Sequence, residues 1–383
     1  MTVQYSLKDL TFYFLKLGYA GFGGPVALVG YMHKDLVEHR QWISEEEYKN
    51  GLALAQLAPG PLAAQLSIYL GYVHYGVLGA TLVGTAFVLP SFMMVLLLGI
   101  AYQQFGGLPW MQSVFYGIGA AAIGIIALSS YKLTPKSIGK FTLISLKTNW
   151  LLWSFFLGAC TVTFITKQEQ VLLFVAAGLL YMFVKNPPKI PSNAAQGLVF
   201  LQIDFWQYES TTLWKIALFF AKAGAFVFGS GLAIVPFLHA GVVEEYGWLN
   251  EQQFLDAVAV AMITPGPVVI TVAFIGYLVN GFWGACVAAL ATFLPCYLFT
   301  ILPAPYFQKI AKNKSIKAFV DGITAAVVGA LVGAVLVIAR QSIIDIPTAL
   351  IAVAAMLALI YVKKIKEPYI IIAAAAVGYL LKL

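Results

Sequence analysis

The sequence predicts an all-α, polytopic membrane protein of two homologous halves with broken helices and re-entrant hairpins, on three observations. Of its 383 residues, 61% are hydrophobic and 10% charged, against about 25% charged in soluble domains, and the mean hydropathy is +0.86. Neither Asn50–Tyr131 nor Ala257–Gln308 contains an Asp, Glu, Lys or Arg; each run is several times the ~20 residues a transmembrane helix needs. These runs are continuous rather than alternating, which selects helices over a barrel. Third, the chain repeats itself: adding 206 to the numbers from Lys16 to Pro61 lands on Lys222 to Pro267 without a gap. Among the matched identities are Gly18, His33, Glu38, Trp42, Glu45, Pro59, Gly60 and Pro61. After one deletion the offset is 205 and pairs Gly71-Tyr72 with Gly276-Tyr277, Pro90 with Pro295, Gly117 with Gly322 and Gly124 with Gly329.

This pattern divides the chain into a first membrane repeat (1–190), a polar connecting segment (191–212) and a second membrane repeat (213–383). The first half opens with a span over 10–32, interrupted at Gly23-Gly24-Pro25, and a charged loop over 33–47. A re-entrant hairpin broken at Pro59-Gly60-Pro61 comes next, then spans over 76–103, 110–131, 149–166 and 169–185. The second half gives 213–238, a hairpin centred on Pro265-Gly266-Pro267, then 281–305, 317–339, 345–362 and 368–382. Five spans per half, an odd number, invert the second copy. Charge agrees: the loop after the first span holds Lys34, Arg40 and Lys49 while its repeat partner holds no Lys or Arg. Conversely the Gln103–Trp110 loop is uncharged and its partner is lysine-rich. Basic loops face the cytoplasm, so both halves satisfy that rule as inverted repeats with an external N-terminus; a parallel repeat is the alternative.

The net charge of +7 does not indicate nucleic-acid binding, because the lysines sit in short groups between apolar segments, as membrane topology requires. Cys160, Cys286 and Cys296 lie inside apolar segments without a CxxC pair and read as inert thiols. Neither a cleavable leader nor a metal, cofactor or catalytic motif stands out, and four scattered histidines do not build an enzyme's active site.

Pro59-Gly60-Pro61 and Pro265-Gly266-Pro267 are the sharpest motifs. A proline inside an apolar helix removes a donor and frees a carbonyl, and such a break survives in a bilayer only against protein or a polar cavity. Pro61 and Pro267 are placed to start the following half-helix, leaving free amides at the positive dipole end, which suits an anion; a packing kink is the competing reading. Gly23-Gly24-Pro25 and Gly229-Ser230-Gly231 extend the same logic. Lys16 and Lys222 each precede a glycine break by two helical turns, placed either to offset a dianion's charge or to snorkel to headgroups. Gln56, Gln65, Thr264 and Thr271 flank the breaks as candidate hydrogen-bond donors. His33 with Glu38, and His239 with Glu244, are candidates for a gate or proton relay, or else cap an interfacial helix. Asp321 is a further candidate, balanced by Lys317 four residues earlier.

These motifs resemble the chromate ion transporter family. The resemblance rests on Phe22-Gly23-Gly24-Pro25, His33, Trp42 and the run from Ala55 to Tyr72 in the first half. In the second it rests on Phe228-Gly229-Ser230-Gly231-Leu232, Trp248, Thr264–Val268 and Phe274–Tyr277. It implies two fused homologous halves that export chromate across the cell (inner) membrane and confer chromate resistance. One departure is Ser230-Gly231 where the first half has Gly24-Pro25. The expected partners are a chromate- or sulfate-like oxyanion and the lipid bilayer, with a homodimer left open. A channel or a transporter for sulfate or another small oxyanion is the alternative.

Overall fold

The computed structural model describes residues 5–22, 24–168, 170–188, 211–226, 228–229, 231, 234–307, 313–362 and 367–382. Residues 191–210 of the connecting segment, together with Gly23 and Ser230, lie outside these. The molecule is helical, and four of its segments are long and apolar enough to cross a bilayer: Leu62–Phe105, Pro109–Ile138, Val268–Tyr306 and Lys314–Ser342.

Helix α1 (Leu7–Ala20) starts at Ser6, whose hydroxyl accepts from the Asp9 amide while the Asp9 carboxylate accepts from the Ser6 amide, a reciprocal cap. The chain breaks at Gly21, and α2 (Gly24–Met32) returns alongside α1 into a π-helical turn, His33–His39. The Tyr13 hydroxyl donates to Tyr31 O at 3.4 Å and to Asp35 at 3.3 Å, and Tyr5 stacks on Trp42 with ring centroids 4.9 Å apart. The stretch expected as one interrupted span is therefore a helical hairpin whose two ends meet beside Trp42. Glycine lets the backbones reverse where sequence hydropathy sees only a continuous apolar run, so the expected crossing and the five-span count do not hold.

Helix α3 (Glu45–Leu57), capped by Ser44 and Glu47, runs to the Pro59-Gly60-Pro61 tip, and α4 (Leu62–Phe105) leads away from it. Gly51 faces Tyr69 and Glu47 lies 2.9 Å from His74. Residues at matching distances, to within one, on either side of Gly60 thus touch, and the re-entrant hairpin expected there is present. At Gly76 (φ 57°, ψ −149°) α4 reverses, a left-handed conformation open to glycine. Gly71 and Gly79 meet so closely across the bend that a Cβ on either would overlap the other's carbonyl. The arm 77–105 rises about 43 Å, enough to cross the ~30 Å hydrocarbon core.

The second half repeats this plan. Helix α9 (Thr212–Ala225), α10 (Ile234–His239) with its π-helical turn Ala240–Glu245, and α11 (Glu251–Ile263) lead to Pro265-Gly266-Pro267. A short 3-10 turn and α12 (Thr271–Ile301) follow, with the reversal at Asn280-Gly281 and Gly276 against Gly284. The cap pair Ser44/Glu47 recurs as Asn250/Gln253, at offset 206. Gly18 packs on Phe87 of α4 and Gly224 on Thr292 of α12, equivalent close approaches in the two halves.

Around these hairpins stand α5 (Pro109–Ile138), the short α6 (Leu143–Thr148), α7 (Trp150–Thr166) and α8 (Val171–Lys185). Their second-half counterparts are α13 (Lys314–Ser342), α14 (Ile346–Tyr361) and α15 (Glu367–Lys382). The halves interleave. Gly117 and Gly124 of α5 pack on Ala374 of α15 and Ala352 of α14, while Gly322 and Gly329 of α13 pack on Ala177 of α8 and Phe156 of α7. Small residues at helix crossings give the close backbone approach that holds helices together in lipid. At the start of α14 the Tyr116 hydroxyl and the Thr348 amide hold Asp345 below the usual carboxylate range. The long arms of α4 and α12 run antiparallel: Thr81 hydrogen-bonds Tyr297 at 2.7 Å, and Gly99, farther along α4, sits against Tyr277 before the α12 bend.

Gly71→Val should force the first bend open, by analogy with overpacked cores that lose about 1–3 kcal/mol, and lower the thermal unfolding temperature of the detergent-purified protein. Gly158→Val, at a helix position with nothing within 4 Å of the new Cβ, should leave it unchanged.

Candidate functional site

Two broken segments from each half converge at the centre of the bundle, and they dock on one another crosswise. Gly60–Pro61 pairs as a short parallel ladder with Phe228–Gly229. In the reciprocal contact the Gly266 amide donates to Gly21 O at 3.0 Å. Each Pro-Gly-Pro tip therefore finds its backbone partners on the glycine break of the other half. Gly60 and Gly266 hold φ of 143° and 96°, values that favour glycine.

The tips rest on equivalent positions of the two long arms. Beside Gly60 lies Cys296 of α12; beside Gly266 lies Ser91 of α4, and 91 and 296 are related by the 205 offset. Ser91 Oγ donates to Pro265 O at 2.8 Å and lies 3.4 Å from Gly18 O. Cys296 is fully buried, consistent with an inert packing role. Ser91 was not singled out from sequence, and Cys296 was read there as an inert thiol without a place at the tip, although both directly follow the matched Pro90 and Pro295.

Pro61 and Pro267 are the N-caps of the segments that follow, and neither has a side-chain cap bond. The first amides of α4 and of the Val268–Ile270 turn are thus left without side-chain acceptors, at the positive ends of their helices. Gln65 is fully buried; its Nε2 donates to Pro59 O at 2.8 Å, bracing the tip, and its Oε1 has no partner.

The remaining expected donors stand differently. Thr264 and Thr271 are buried, but their hydroxyls donate to Ala261 O at 3.1 Å and Val268 O at 2.8 Å. In a low-dielectric interior a helix hydroxyl takes the nearest carbonyl. Gln56 is exposed. Pro25 is half-buried and Gly231 buried, while Gly24 opens α2 and Gly229 belongs to the ladder. Lys16 and Lys222 are exposed, Lys16 just before the last turn of α1 and Lys222 on the last turn of α9. They lie close in sequence to Gly18 and Gly224, which pack partway along the long arms, so Lys16 and Lys222 stand deep along the bundle rather than at its ends.

At the two ends of the bundle the His and Glu candidates form matching clusters, each completed by a third residue. His33 lies 3.1 Å from Glu38 and 2.9 Å from Glu45. His239, 2% exposed, lies 2.7 Å from Glu251, while Glu244 binds Lys167 at 3.3 Å and Gln341 at 2.7 Å. Each histidine thus ties the first hairpin of its half to the start of the second. Glu45 and Glu251, matched in the repeat, were not singled out. His239, Glu244 and Glu251 bring ligand atoms within 4.8 Å of one another, but Lys167 and Gln341 already engage Glu244 in an ion-paired brace. Asp321 lines a cavity of about 250 Å³ with Lys185, Lys314 and Lys317, so basic charge surrounds it at the start of α13.

A polar cavity of about 890 Å³ opens beside Trp248, lined by Tyr102, Gln112, Tyr116, Gln252, Asp256 and Lys382 among others. Asp256 is buried there. Sequence reasoning missed it because it stands one residue before an uncharged run, and because its repeat partner is the neutral Asn50.

The chromate transporter family model matches residues 8–182 and 214–379. The chain is 62% identical to the chromate transport protein of Cupriavidus metallidurans, over 98% of this chain and 93% of that one. It is 61% identical to the probable chromate transport protein of Synechococcus elongatus, over 98% and 95%. The chromate transport protein of Pseudomonas aeruginosa is 29% identical over 96% and 90%. No solved structure matches the chain. A family match over both halves, with each matched half carrying one of the two tips, makes this chain a member of the chromate transporter family.

Proposed function

We propose that this chain transports chromate, exporting it across the cell (inner) membrane, with the anion held where the two Pro-Gly-Pro tips and the two glycine breaks meet. The reciprocal docking of each tip on the other half carries this reading. It places uncapped helix starts from both halves at one locus, and fixed amides there can replace the hydration of a tetrahedral oxyanion. The names of the two relatives above 60% identity support chromate as the substrate. Lys16 and Lys222, exposed and deep along the bundle, act by raising the local potential for an anion rather than by ligating it. The His clusters brace the hairpins at either end and are the candidate gates. Sulfate, another tetrahedral dianion, is the rival substrate, and a passive channel the rival mechanism.

The same reading takes the two halves, 1–190 and 213–383, as inverted repeats joined by 191–212. Antiparallel packing of the long arms of α4 and α12 supports it. So does charge: Lys34, Arg40, Lys49, Lys132, Lys136, Lys185, Lys314 and Lys317 gather toward the Trp42 end, against Lys167, Lys215, Arg340 and Lys382 toward the Trp248 end. The positive-inside rule then puts the Trp42 end in the cytoplasm, and with it Tyr5, because α1 and α2 form a hairpin. Inversion then has Lys185, at the end of α8, and Thr212, at the start of α9, on opposite faces.

Energetically, export needs no ATP. The membrane potential is worth about 2.3 kcal/mol per charge per 100 mV, so about 4.6 for a dianion leaving an inside-negative cell, or more than about a thousandfold in concentration.

In proteoliposomes with a potassium diffusion potential, chromate flux should saturate and should speed up when the anion leaves a negative interior. Failure to saturate, with single-molecule current steps, would favour the channel. Gly266→Ala, whose Cβ would overlap Ser91, should cut the flux by more than about tenfold, whereas Gly158→Ala should retain it. In a cysteine-free background, Lys34→Cys should react with an impermeant reagent only from the cytoplasmic side and Glu245→Cys only from outside; labelling of both from one side would refute inversion.

A further inference from the structure

Asp256 is 3% exposed and is the one buried carboxylate among the described residues. Its Oδ2 accepts from the Tyr102 hydroxyl at 2.6 Å and its Oδ1 from Gln252 Nε2 at 2.8 Å. Both donors are neutral. The other ionisable groups toward this end of the elements packed around α11 include Tyr116 on α5, Tyr277 on α12, Tyr379 and Lys382 on α15, Arg340 on α13, Asp345 before α14, His239 at the end of α10, and Glu244 and Glu245 on the turn before α11. Lys382 shares the cavity, but its ammonium lies over the Tyr116 ring, 4.6 Å from the centroid, and Tyr116 donates to Asp345 at 2.7 Å. His239 is engaged by Glu251, and Glu244 by Lys167. Asp256 is left with two neutral donors and no ion pair among the described residues.

A charged group so placed within a membrane protein is costly, and it is a functional candidate by default. The repeat removes the structural explanation. The first half builds the same hairpin, with the same cap and the same tip, around Asn50 in place of Asp256. Phe307 stands at the position matching Tyr102, without a hydroxyl. The fold of the hairpin therefore does not need the carboxylate, and the second half alone carries it, beside a cavity wide enough for water. Tyr102 lies on the long arm of α4 and Asp256 on the hairpin that carries the Pro265–Pro267 tip. Their bond thus joins two elements that must shift relative to one another if the tip opens.

We propose that Asp256 is the proton-binding residue of transport: it exchanges one proton with the cavity beside Trp248, and losing that proton shifts the balance between two positions of the α11–α12 hairpin against α4, both of which its neutral form also reaches. One proton then moves opposite to each anion carried. This rests on the chromate reading above, and it assigns a positioning role to Tyr102 and Gln252.

The test uses full-length protein in proteoliposomes with the potential clamped at zero by potassium and valinomycin, a pH dye inside, and chromate flux followed in parallel. Wild-type protein should move protons opposite to chromate, and an imposed pH gradient alone should drive chromate uphill. Asp256→Asn should keep chromate–chromate exchange at equal pH to within about twofold, while losing both proton movement and pH-driven accumulation. Asp256→Glu should keep all three. Wild-type chromate flux without proton movement would overturn this inference and leave the transport reading intact; no wild-type chromate flux at all would remove the transport reading itself. Coupled proton movement surviving in Asp256→Asn would overturn the assignment, as would loss of equal-pH exchange in both Asp256 variants.

Discussion

Everything in this molecule depends on one constraint: a helix broken inside a bilayer must find partners for its exposed backbone groups, because the hydrocarbon offers none. Four breaks lie in the chain, two per half, and a proline-flanked glycine cannot repair itself within its own helix. The chain solves this by exchange. The first tip is paired by the second half's glycine segment, and the second tip donates to the first half's Gly21. Neither half closes its own break, so neither can be finished without the other. The interleaving of α5 with α14 and α15, and of α13 with α7 and α8, continues that dependence outward through glycine contacts.

The arrangement also explains why the breaks are useful. Backbone groups satisfied across an interface between two halves can be rearranged when the halves move, whereas groups satisfied inside one helix cannot. Rigid arms and a fixed crossing, set by Gly71 with Gly79 and Gly276 with Gly284, leave the tips as the parts free to shift. The His clusters at the two ends tie the hairpins of each half together, the first more exposed and the second buried. The two ends are therefore not equivalent, and Asp256 with its cavity adds to the asymmetry at the Trp248 end.

Much of this was legible in the sequence. The repeat offset placed the tips in register, and with them Gly71 and Gly276 beside the bends, because proline and glycine act locally and leave local marks. The Pro-Gly-Pro hairpins and the helical class came directly from those marks. The first hairpin was not legible: a continuous apolar run from Leu10 to Met32 reads as one span, and only the contacts of Tyr13 with Tyr31 and Asp35 reveal that it turns back. The same physics hid the fate of Thr264 and Thr271, whose hydroxyls could serve a ligand or their own helix, a choice made by backbone geometry. Asp256 and Ser91 were missed for another reason: their meaning lies in what another element brings to them, Tyr102 in one case and the Pro265 carbonyl in the other.

That both tips form a single anion site is the central claim, and the binding stoichiometry of radiolabelled chromate on the purified protein tests it most directly. The account predicts one chromate per chain, with binding abolished by Gly60→Ala alone and by Gly266→Ala alone. Two chromates per chain, or a site that survives when either tip is altered, would contradict it.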